Sequence, residues 1–510
     1  MSCRSQVVAM EVEGQESLDR LSGAVKVFSD LESWACSESA MGLSVGQMES
    51  EIVARSREAM RLLLQEWIDR KAQEPVLSSG QAVSVPDEGG NVVLLTHRLR
   101  RPRQQRTTVG DVEVKRTGYG YPGGTSVYPL DERVQLPEGI YSYPLQEHLV
   151  RAAVRGPFAE ALRTVEEYTG EKVPKRSLET ILERAAEDME GFYAERKVAP
   201  PQETSSIVVA TADCKGVPMI AADRPKNASA PESDGESGKT GVKRMAVVTA
   251  TYTVAPRPRK PEEVWESLFR DPKRPRAAPA VAAPDARPEG KRVWASLSEG
   301  KDAVLEEMAA EVERRDPERT KTRVALTDGE RALQTRVLRH LPGVLLILDL
   351  MHALDKLWKA AQILIPKEPE QRHAWVRRQS LQVLKGKVSE VVRGMRQSVT
   401  KRSLAGKARK ELLQAASYLY KNRKHMAYHD YLAQGLPIAS GAVEGACKNL
   451  VRDRMERSGM RWSLRQAEAM LRLRAVYLSD DFDEYWTFHI TREQARLHPE
   501  GSWAVANIVD

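Results

Sequence analysis

The spacing of apolar residues changes several times along the chain, and each change predicts a different kind of element. Residues 46–70 and 143–197 carry apolar side chains at helical spacing, which predicts helices. Residues 1–45 are polar and weakly patterned. Residues 78–91 are rich in turn-forming residues and are predicted to form a loop.

Short apolar runs begin beyond residue 205 and predict buried β-strands. These runs occupy 206–213, 217–222, 244–254, 322–328 and 343–349. Helical spacing follows over 294–313, 330–340 and 350–361. Three strands followed by alternating helices and strands are typical of a mixed sheet covered by helices, so the pattern predicts the α/β fold class.

Two segments interrupt this order. Residues 256–288 contain eight of the 28 prolines, so the sequence predicts a disordered Pro-rich insertion over 256–292, with one short helix at 261–269. Residues 355–430 are basic and keep helical spacing throughout, which predicts a second, helical insertion.

The charge of the chain is informative only where it is concentrated. The 510 residues predict about three domains at ~100–200 residues each, and the net formal charge is +7. Residues 98–116 carry seven Lys and Arg against Asp111 and Glu113. A basic β-ribbon that contacts phosphates fits this segment, and so does a solvated edge hairpin that is protected by its charges.

A second candidate for nucleic-acid binding lies at 158–185, where two helices are predicted around a turn at Gly170. Lys175 and Arg176 stand at the start of the second helix. This arrangement is typical of a helix-turn-helix, whose second helix reads DNA. Plain packing of two helices is the alternative, and the sequence leaves both open.

Several classes of protein are excluded by what the sequence lacks. No apolar run approaches the ~20 residues that span a bilayer, and the first residues carry no apolar signal segment. The four cysteines are scattered, with no C-x-x-C pair, which argues against a disulfide framework or a zinc knuckle. We therefore expect an intracellular protein that has no membrane partner.

Acidic residues at the ends of the predicted strands suggest a site. Asp213 and Asp328 each end an apolar run, and Glu444 opens a helix after a Gly/Pro loop. Strand-end acids share the carboxyl edge of such a sheet, and convergent carboxylates repel one another unless a cation such as Mg²⁺ or Mn²⁺ compensates. A strand-end Asp is also commonly a turn or cap residue. Asp349 competes for the middle position, and His352 fits either packing or catalysis.

Five strings carry a resemblance to a known family. They are ADCKGVPM (212–219), VALTDGERALQ (324–334), ILDLMH (347–352), GLPIASGAVEGA (435–446) and DRMERSGMRWS (453–463). In this order they closely resemble bacterial insertion-sequence transposases of the ISKra type, which look like distant relatives of the Mutator-like DDE transposases. The resemblance runs over about 95–490.

The resemblance implies a ribonuclease H-like catalytic domain with a helical insertion, preceded by a mainly helical DNA-binding region. It implies a metal-binding triad of Asp213, Asp328 and Glu444 that holds two Mg²⁺ or Mn²⁺ ions, with His352 in an accessory catalytic role. The implied partners are DNA, as terminal inverted repeats and target, and a second copy of the chain in a homodimer or higher oligomer. The implied location is the bacterial cytoplasm, at the nucleoid.

The expected DNA-binding residues combine the basic ribbon, the second helix of the pair and the last motif. They are Arg98, Arg100, Arg101, Arg103, Arg106, Lys175, Arg176, Arg461 and Trp462. The expected domains are 1–94, a helical and partly disordered region; 95–200, the DNA-binding region; 201–354 with 431–490, the catalytic domain; 355–430, the helical insertion; and 491–510, a tail.

The chain departs from the family pattern in three places. Relatives commonly have Asp-Gly at the first acid, whereas here Cys214 follows Asp213, and a Cβ would be strained there if that position needs positive φ. Residues 117–130 lack the cysteines of some relatives, so no zinc is expected. The Pro-rich insertion is the third departure. Two alternatives therefore stand beside an active transposase: a catalytically decayed DNA-binding derivative, and a structure-specific nuclease of the same fold.

Overall fold

A computed structural model describes residues 22–79, 81–86, 91–121, 124, 126–197, 199–224, 243–270, 287–439 and 448–507. The chain divides into two compact units. Unit 1 combines Met1–Arg184 with Trp486–Asp510, and unit 2 is the continuous stretch Ala185–Tyr485. The sequence-based partition is finer than these two units: it separates residues 1–94 from 95–200, whereas unit 1 contains all of 1–184.

The chain alternates between helices, most of them of eight or more residues, and strands of four to twelve residues. The helices are α1 (Ser22–Ala35), α2 (Glu38–Met41), α3 (Val45–Gln73), α4 (Pro129–Arg133), α5 (Tyr143–Arg155), α6 (Phe158–Thr169), α7 (Lys175–Ala185), α8 (Met189–Glu195), α9 (Pro261–Leu268), α10 (Lys301–Arg315), α11 (Arg331–His340), α12 (Leu350–Leu364), α13 (Pro369–Leu384), α14 (Val388–Lys401), α15 (Gly406–Asn422), α16 (Tyr428–Ala433), α17 (Leu464–Leu478) and α18 (Phe482–Leu497). The strands are β1 (Gln81–Pro86), β2 (Val92–Leu95), β3 (His97–Arg100), β4 (Arg103–Thr107), β5 (Gly110–Val114), β6 (Thr117–Gly120), β7 (Ile207–Pro218), β8 (Lys243–Val254), β9 (Glu289–Ser296), β10 (Thr322–Thr327), β11 (Leu345–Leu348) and β12 (Ala504–Asn507).

Unit 1 is built on the long helix α3, which confirms the helix predicted over 46–70. Its Ile68 packs against Val112 and Val114 of β5 and against Leu130 of α4. Strands β4 and β5 form an antiparallel hairpin, and β3 pairs with β6. The basic segment therefore contains the predicted short strands.

Two expectations for unit 1 need correction. Residues 78–91 were expected to be a loop, but β1 lies there and pairs with β2 on one side and β12 on the other. The segment 491–510 was expected to be a tail, but it contains the end of α18 and all of β12. Strands β1 and β12 stabilise each other, and because these partners are so far apart in the chain, neither segment carries a local sequence pattern that predicts a strand.

Unit 2 contains a five-stranded mixed sheet with the order β11-β10-β7-β8-β9. Strands β7, β10 and β11 are parallel, whereas β8 is antiparallel to both β7 and β9. Helices α10 and α11 cover one face through a core that includes Val208, Leu305, Met308 and Leu333. The predicted α/β class, with a mixed sheet and many helices, is confirmed at this level.

The first three strands differ from the prediction. The runs 206–213 and 217–222 were expected to be separate strands, but β7 continues through Asp213 to Pro218 because all twelve of its residues pair with β8. The third strand is instead β9, where the end of the Pro-rich insertion and the start of a helix were expected. Within its polar first half only Arg292 is buried, where it donates to Glu311, a residue distant in sequence.

The segment predicted as a helical insertion, 355–430, consists of most of α12 and then α13, α14, α15 and the start of α16, so its helical character is confirmed. The short helix predicted at 261–269 is present as α9. Across the described part of the chain, no helix combines the length and apolarity needed to cross a membrane.

Candidate active site

Three aspartates occupy matching positions on three neighbouring parallel strands. The register pairs Ala212 of β7 with Thr327 of β10, and Thr327 with Leu348 of β11. The next residue along each strand is Asp213, Asp328 and Asp349, respectively. These acids therefore form a row at the carboxyl ends of β10 and β11, which is the edge where open α/β sheets bind ligands.

Asp213 lies inside β7 rather than at its end. Its carboxylate is largely buried, with Oδ2 2.9 Å from Nζ of Lys215, and its Oδ1 accepts a hydrogen bond from the N–H of Cys214 at 2.7 Å. Residues i and i+2 of a strand share a face, so the continuation of β7 places Lys215 on the same face as Asp213. The structure thus pairs the first predicted acid with a cation of its own strand.

Cys214 adopts regular strand geometry opposite Val247 of β8. It is not among the non-glycine residues with positive φ, so the backbone strain considered for this position is absent. Burial raises the pKa of its thiol, and the neighbouring carboxylates of Glu330, Asp213 and Asp328 act in the same direction, whereas Lys301 acts against them. The side chain is therefore a small, neutral group beside the acids.

Asp328 opens a tight turn after β10. Its Oδ1 accepts a hydrogen bond from the N–H of Glu330 at 2.9 Å, and its backbone carbonyl accepts one from the hydroxyl of Tyr418. Gly329 has φ of +86°, and a Cβ there would lie 2.6 Å from Oη of Tyr418 and 2.7 Å from Cδ1 of Leu348. Only glycine fits this turn, which explains the Asp-Gly pair at this position.

Two tyrosines of the helical segment hold the ends of two acid-bearing strands. Tyr418 of α15 donates to the carbonyl of Asp328, and Tyr428 of α16 donates to the carbonyl of Leu348 at 2.8 Å, directly before Asp349. Burial raises the pKa of both hydroxyls, and the nearby aspartates add to the effect, so both remain donors. Oδ1 of Asn422 in α15 accepts a hydrogen bond from Nε2 of Gln334 at 3.1 Å.

Neither tyrosine was identified from the sequence. Each contacts a backbone carbonyl, and any residue supplies that acceptor, so no pairing of side-chain types marks the contact. The only available signal is the placement of both residues in a helical segment that interrupts the sheet.

Asp349 and His352 lie at the start of α12. Asp349 is 2% exposed and accepts a hydrogen bond from the N–H of Met351 at 2.7 Å, as a helix N-cap does. Nδ1 of His352 lies 3.8 Å from the Asp349 carboxylate. That carboxylate raises the pKa of His352 and outweighs burial, which lowers it; Asp213 and Asp328 also raise it. The imidazole therefore lies within the field of all three acids.

Glu444, the third predicted acid, lies outside the described residues, together with the rest of 440–447. The segment that leads to it is described as far as residue 439. The N–H of Leu350 donates to the carbonyl of Ile438 at 2.9 Å, so this segment passes the first turn of α12. Within the described residues, no group of three or more His, Cys, Asp or Glu side chains is arranged to hold a metal ion.

The predicted basic ribbon divides into exposed and internal arginines. Arg98, Arg100 and Arg101 are exposed, the first two on β3. Arg103 is directed inward, where its guanidinium donates to the carbonyls of Pro137, Glu138 and Gly139. Burial accordingly lowers its pKa, and we assign it a structural role in place of the expected contact with DNA.

Arg106 also makes internal contacts, since Nη1 donates to the carbonyl of Lys172 at 2.9 Å. Lys175 and Arg176 begin α7 and are exposed, as a DNA-reading helix requires. Nζ of Lys175 lies 3.4 Å from Glu179, one turn along the same helix. The two helices predicted around Gly170 are confirmed as α6 and α7, with Gly170 at φ of +78° between them.

Arg461 is exposed, whereas its neighbour Trp462 is only 5% exposed. The indole Nε1 of Trp462 donates to the carbonyl of Met455 at 3.0 Å, and its backbone N–H donates to Pro218 of β7 at 3.0 Å. Trp462 therefore joins the last motif to the sheet. We correct its expected role from contact with DNA to packing of the core.

Comparison with known proteins adds a distant structural likeness. No family model matches the chain, and no curated protein matches it. Among solved structures, the strand transfer complex of the Drosophila P element transposase is similar over 72% of this chain and 96% of that chain, with 10% sequence identity and a TM-score of 0.24. Agreement at this level is weak, so the chemistry of the site has to be derived from its own residues.

Proposed function

We propose that this protein is a DDE transposase, which cleaves and joins DNA strands by metal-dependent phosphoryl transfer. The observation that carries the proposal is the row of acids, because Asp213 and Asp328 follow paired residues of adjacent parallel strands. The transposase-like strings at 212–219 and 324–334 contain these same two acids.

The sheet supports a ribonuclease H-like catalytic domain. In that fold an antiparallel trio of strands is extended by two parallel strands beside the first, and the order β11-β10-β7-β8-β9 has this connectivity. The helical block after β11 stands where the family resemblance implies an insertion before the third acid.

The oxygen donors of this edge suit a hard divalent cation such as Mg²⁺ or Mn²⁺. In the proposed site Asp213, Asp328 and Glu444 would hold two such ions, which would supply activation of water or a 3′-hydroxyl and stabilisation of the leaving oxygen. The carbonyl of Ile438 accepts a hydrogen bond from Leu350, the residue after Asp349, so the segment that precedes Glu444 passes close to Asp349. This contact supports Glu444 as the third acid.

We assign the middle position to Asp328 rather than Asp349. Asp349 is buried, whereas Asp328 is partly exposed and stands at a turn held by Tyr418. In this proposal His352 is an accessory group that can carry a proton near the scissile phosphate, because the surrounding carboxylates favour its protonated form.

DNA binding is assigned to exposed cations of unit 1, mainly Arg98, Arg100 and Arg101 with Lys175 and Arg176. Neutralisation of phosphates by these side chains releases counterions, so affinity should fall steeply with salt. Arg461 of unit 2 is proposed as a further contact. Because two element ends must be paired, we also propose a homodimer or higher oligomer as the active form.

One observation favours a second candidate, a transposase-derived protein that binds DNA without cutting it. Lys215 forms an ion pair with Asp213 at 2.9 Å, where the active enzyme needs a carboxylate free for metal. In a decayed enzyme this pair is permanent. In an active enzyme a metal ion would displace Lys215, whose side chain is 42% exposed, so that solvent weakens its attraction to Asp213.

The test is a nicking and strand-transfer assay with Mn²⁺ on duplex DNA taken from both sides of the gene. We expect wild type to cut, and Asp213→Asn and Asp328→Asn each to lose cutting by at least ~100-fold while they retain folding and DNA binding. Asp302→Asn is the matched control, because it removes an exposed carboxylate of the same unit that pairs with Arg336.

Three results would redirect the assignment. Loss of cutting in Asp349→Asn with retention in Asp328→Asn would move the middle acid. Binding without cutting by wild type, unchanged in Lys215→Ala, would support the decayed protein. Cutting of branched DNA without joined products would support the structure-specific nuclease.

A further inference from the structure

A cavity of about 230 Å³ lies within unit 1. Its walls come from the last turn of α3, the segment that follows α3, strands β3 and β6, and α4. A volume of this size is many times the ~10–15 Å³ that admits one water molecule, so a small polyatomic ion fits inside it.

The lining of this cavity is strongly cationic. Lys71, Arg98, Lys115 and Arg133 contribute four positive charges, and Glu74 contributes the one negative charge, which leaves a net formal charge of +3. These cations come from four different elements or connections and converge only in the folded unit. Of the four, only Arg98 was expected to bind DNA from the sequence.

The cations are only partly neutralised. Glu74 lies 2.8 Å from Nζ of Lys71 and 3.7 Å from Nη1 of Arg133, and one carboxylate thus serves two cations. Lys115 lies 3.4 Å from Asp69, which is outside the lining. Among the described residues Arg98 forms no ion pair, and its guanidinium lies 5.8 Å from the ring centre of Tyr119.

We infer that this cavity binds a phosphate group of the DNA backbone. All four cations are hydrogen-bond donors, and a phosphate offers only acceptor oxygens and negative charge. Partly exposed ion pairs such as Lys71 with Glu74 contribute little stability, so a phosphate can replace the carboxylate. The inference deepens the proposed function and rests on its claim that the protein binds DNA.

The position of Arg98 favours a phosphate within DNA over a free phosphate. Residues i and i+2 of a strand project to the same side, so Arg100 continues the line of positive charge along β3 beyond the cavity. Successive backbone phosphates can follow such a line, whereas a free ion would use the cavity alone.

The experiment measures the salt dependence of duplex DNA binding by the full-length protein with fluorescence anisotropy. For the double variant Arg98→Gln/Lys115→Gln, loss of contacts to one or two phosphates should reduce the slope of log K against log salt by ~0.9 per contact. Arg55→Gln is the control, since Arg55 lies on α3 outside the cavity, is 47% exposed and pairs with Glu51. Thermal melts verify that each variant is folded.

A second arm titrates wild type with inorganic phosphate by calorimetry. Competition between phosphate and DNA that is lost in the double variant supports the inference. An unchanged salt slope in the double variant, with wild type still binding DNA, overturns it. Phosphate binding at the cavity together with an unchanged slope assigns the site to a free ion and also overturns it. Absence of DNA binding by wild type would instead refute the proposed function.

Discussion

Replacement of Glu311 by glutamine is expected to destabilise unit 2 by about 3–5 kcal/mol, because it leaves buried arginines without their counter-charge. Glu311 of α10 lies 2.7 Å from Nη1 of Arg292, 2.8 Å from Nη2 of Arg314 and 2.7 Å from Arg315. The side chains of Glu311, Arg292 and Arg315 are 5–8% exposed. Glutamine keeps the volume, so the loss reports on charge rather than on a cavity.

The pH dependence has a defined sign. Burial by itself raises the pKa of Glu311, but Arg292 and Arg315 outweigh burial and lower it. A carboxyl whose pKa is lowered on folding contributes stability above its unfolded value of ~4.3, and this contribution disappears as the pH falls through the folded value. The difference between wild type and Glu311→Gln should therefore be full at neutral pH and shrink below about pH 4.

The assay is urea unfolding of the full-length protein followed by tryptophan fluorescence, with hydrogen exchange of β9 and α10 peptides to assign the transition to unit 2. With a slope of ~3 kcal/mol per molar urea, the midpoint should fall by about 1–1.7 M. Glu307→Gln is the control, because Glu307 also faces Arg292, at 3.5 Å, but its side chain is 47% exposed. A shift no larger than that of the control would refute the reasoning.

Three further predictions concern the acid edge. Gly329→Ala should lower stability by about 2–4 kcal/mol, since φ is +86° and a Cβ there would meet Tyr418 and Leu348. Gly343→Ala, at φ of +81° with open space around it, should cost only ~1–2 kcal/mol. Thermal unfolding compares the two variants, and equal losses of stability would contradict the predicted crowding at Gly329. The pKa of His352, raised by Asp349, should fall in Asp349→Asn. A histidine whose pKa is raised on folding adds stability below its unfolded pKa of ~6.5, and this contribution is lost as the pH rises through the folded pKa. In urea unfolding, His352→Gln should therefore cost more stability at pH 6 than at pH 9. An equal cost at both pH values would contradict this prediction.

The sequence was sufficient for elements whose signal is local. Helix α3 and the helices after β11 keep apolar side chains at helical spacing, and β10 and β11 are short apolar runs that end at acids. Because parallel strands run in the same direction, the neighbouring backbone positions of Asp213 and Asp328 could also be predicted, whereas the convergence of their carboxylates stays a prediction.

The rest depends on partners that the local sequence does not contain. Strand β7 passes through Cys214, Lys215 and Gly216, which resemble a turn, because β8 pairs with it along its full length. Strand β9 begins with polar residues, and the buried Arg292 is stabilised there by Glu311, which is distant in sequence. Tyr418 and Tyr428 reach backbone carbonyls, and Trp462 carries the same indole whether it faces DNA or the core.

The pairing of β1 with β12 has a consequence for the order of folding during synthesis. Ser84 Oγ donates to the carbonyl of Ala504, a residue 420 positions further along the chain. At ~5–20 residues per second, a ribosome needs roughly 20–80 s to produce the partner strand after β1. Unit 2 is continuous from Ala185 to Tyr485, so it can complete its core first, while β1 waits with one edge unpaired and open to chaperones.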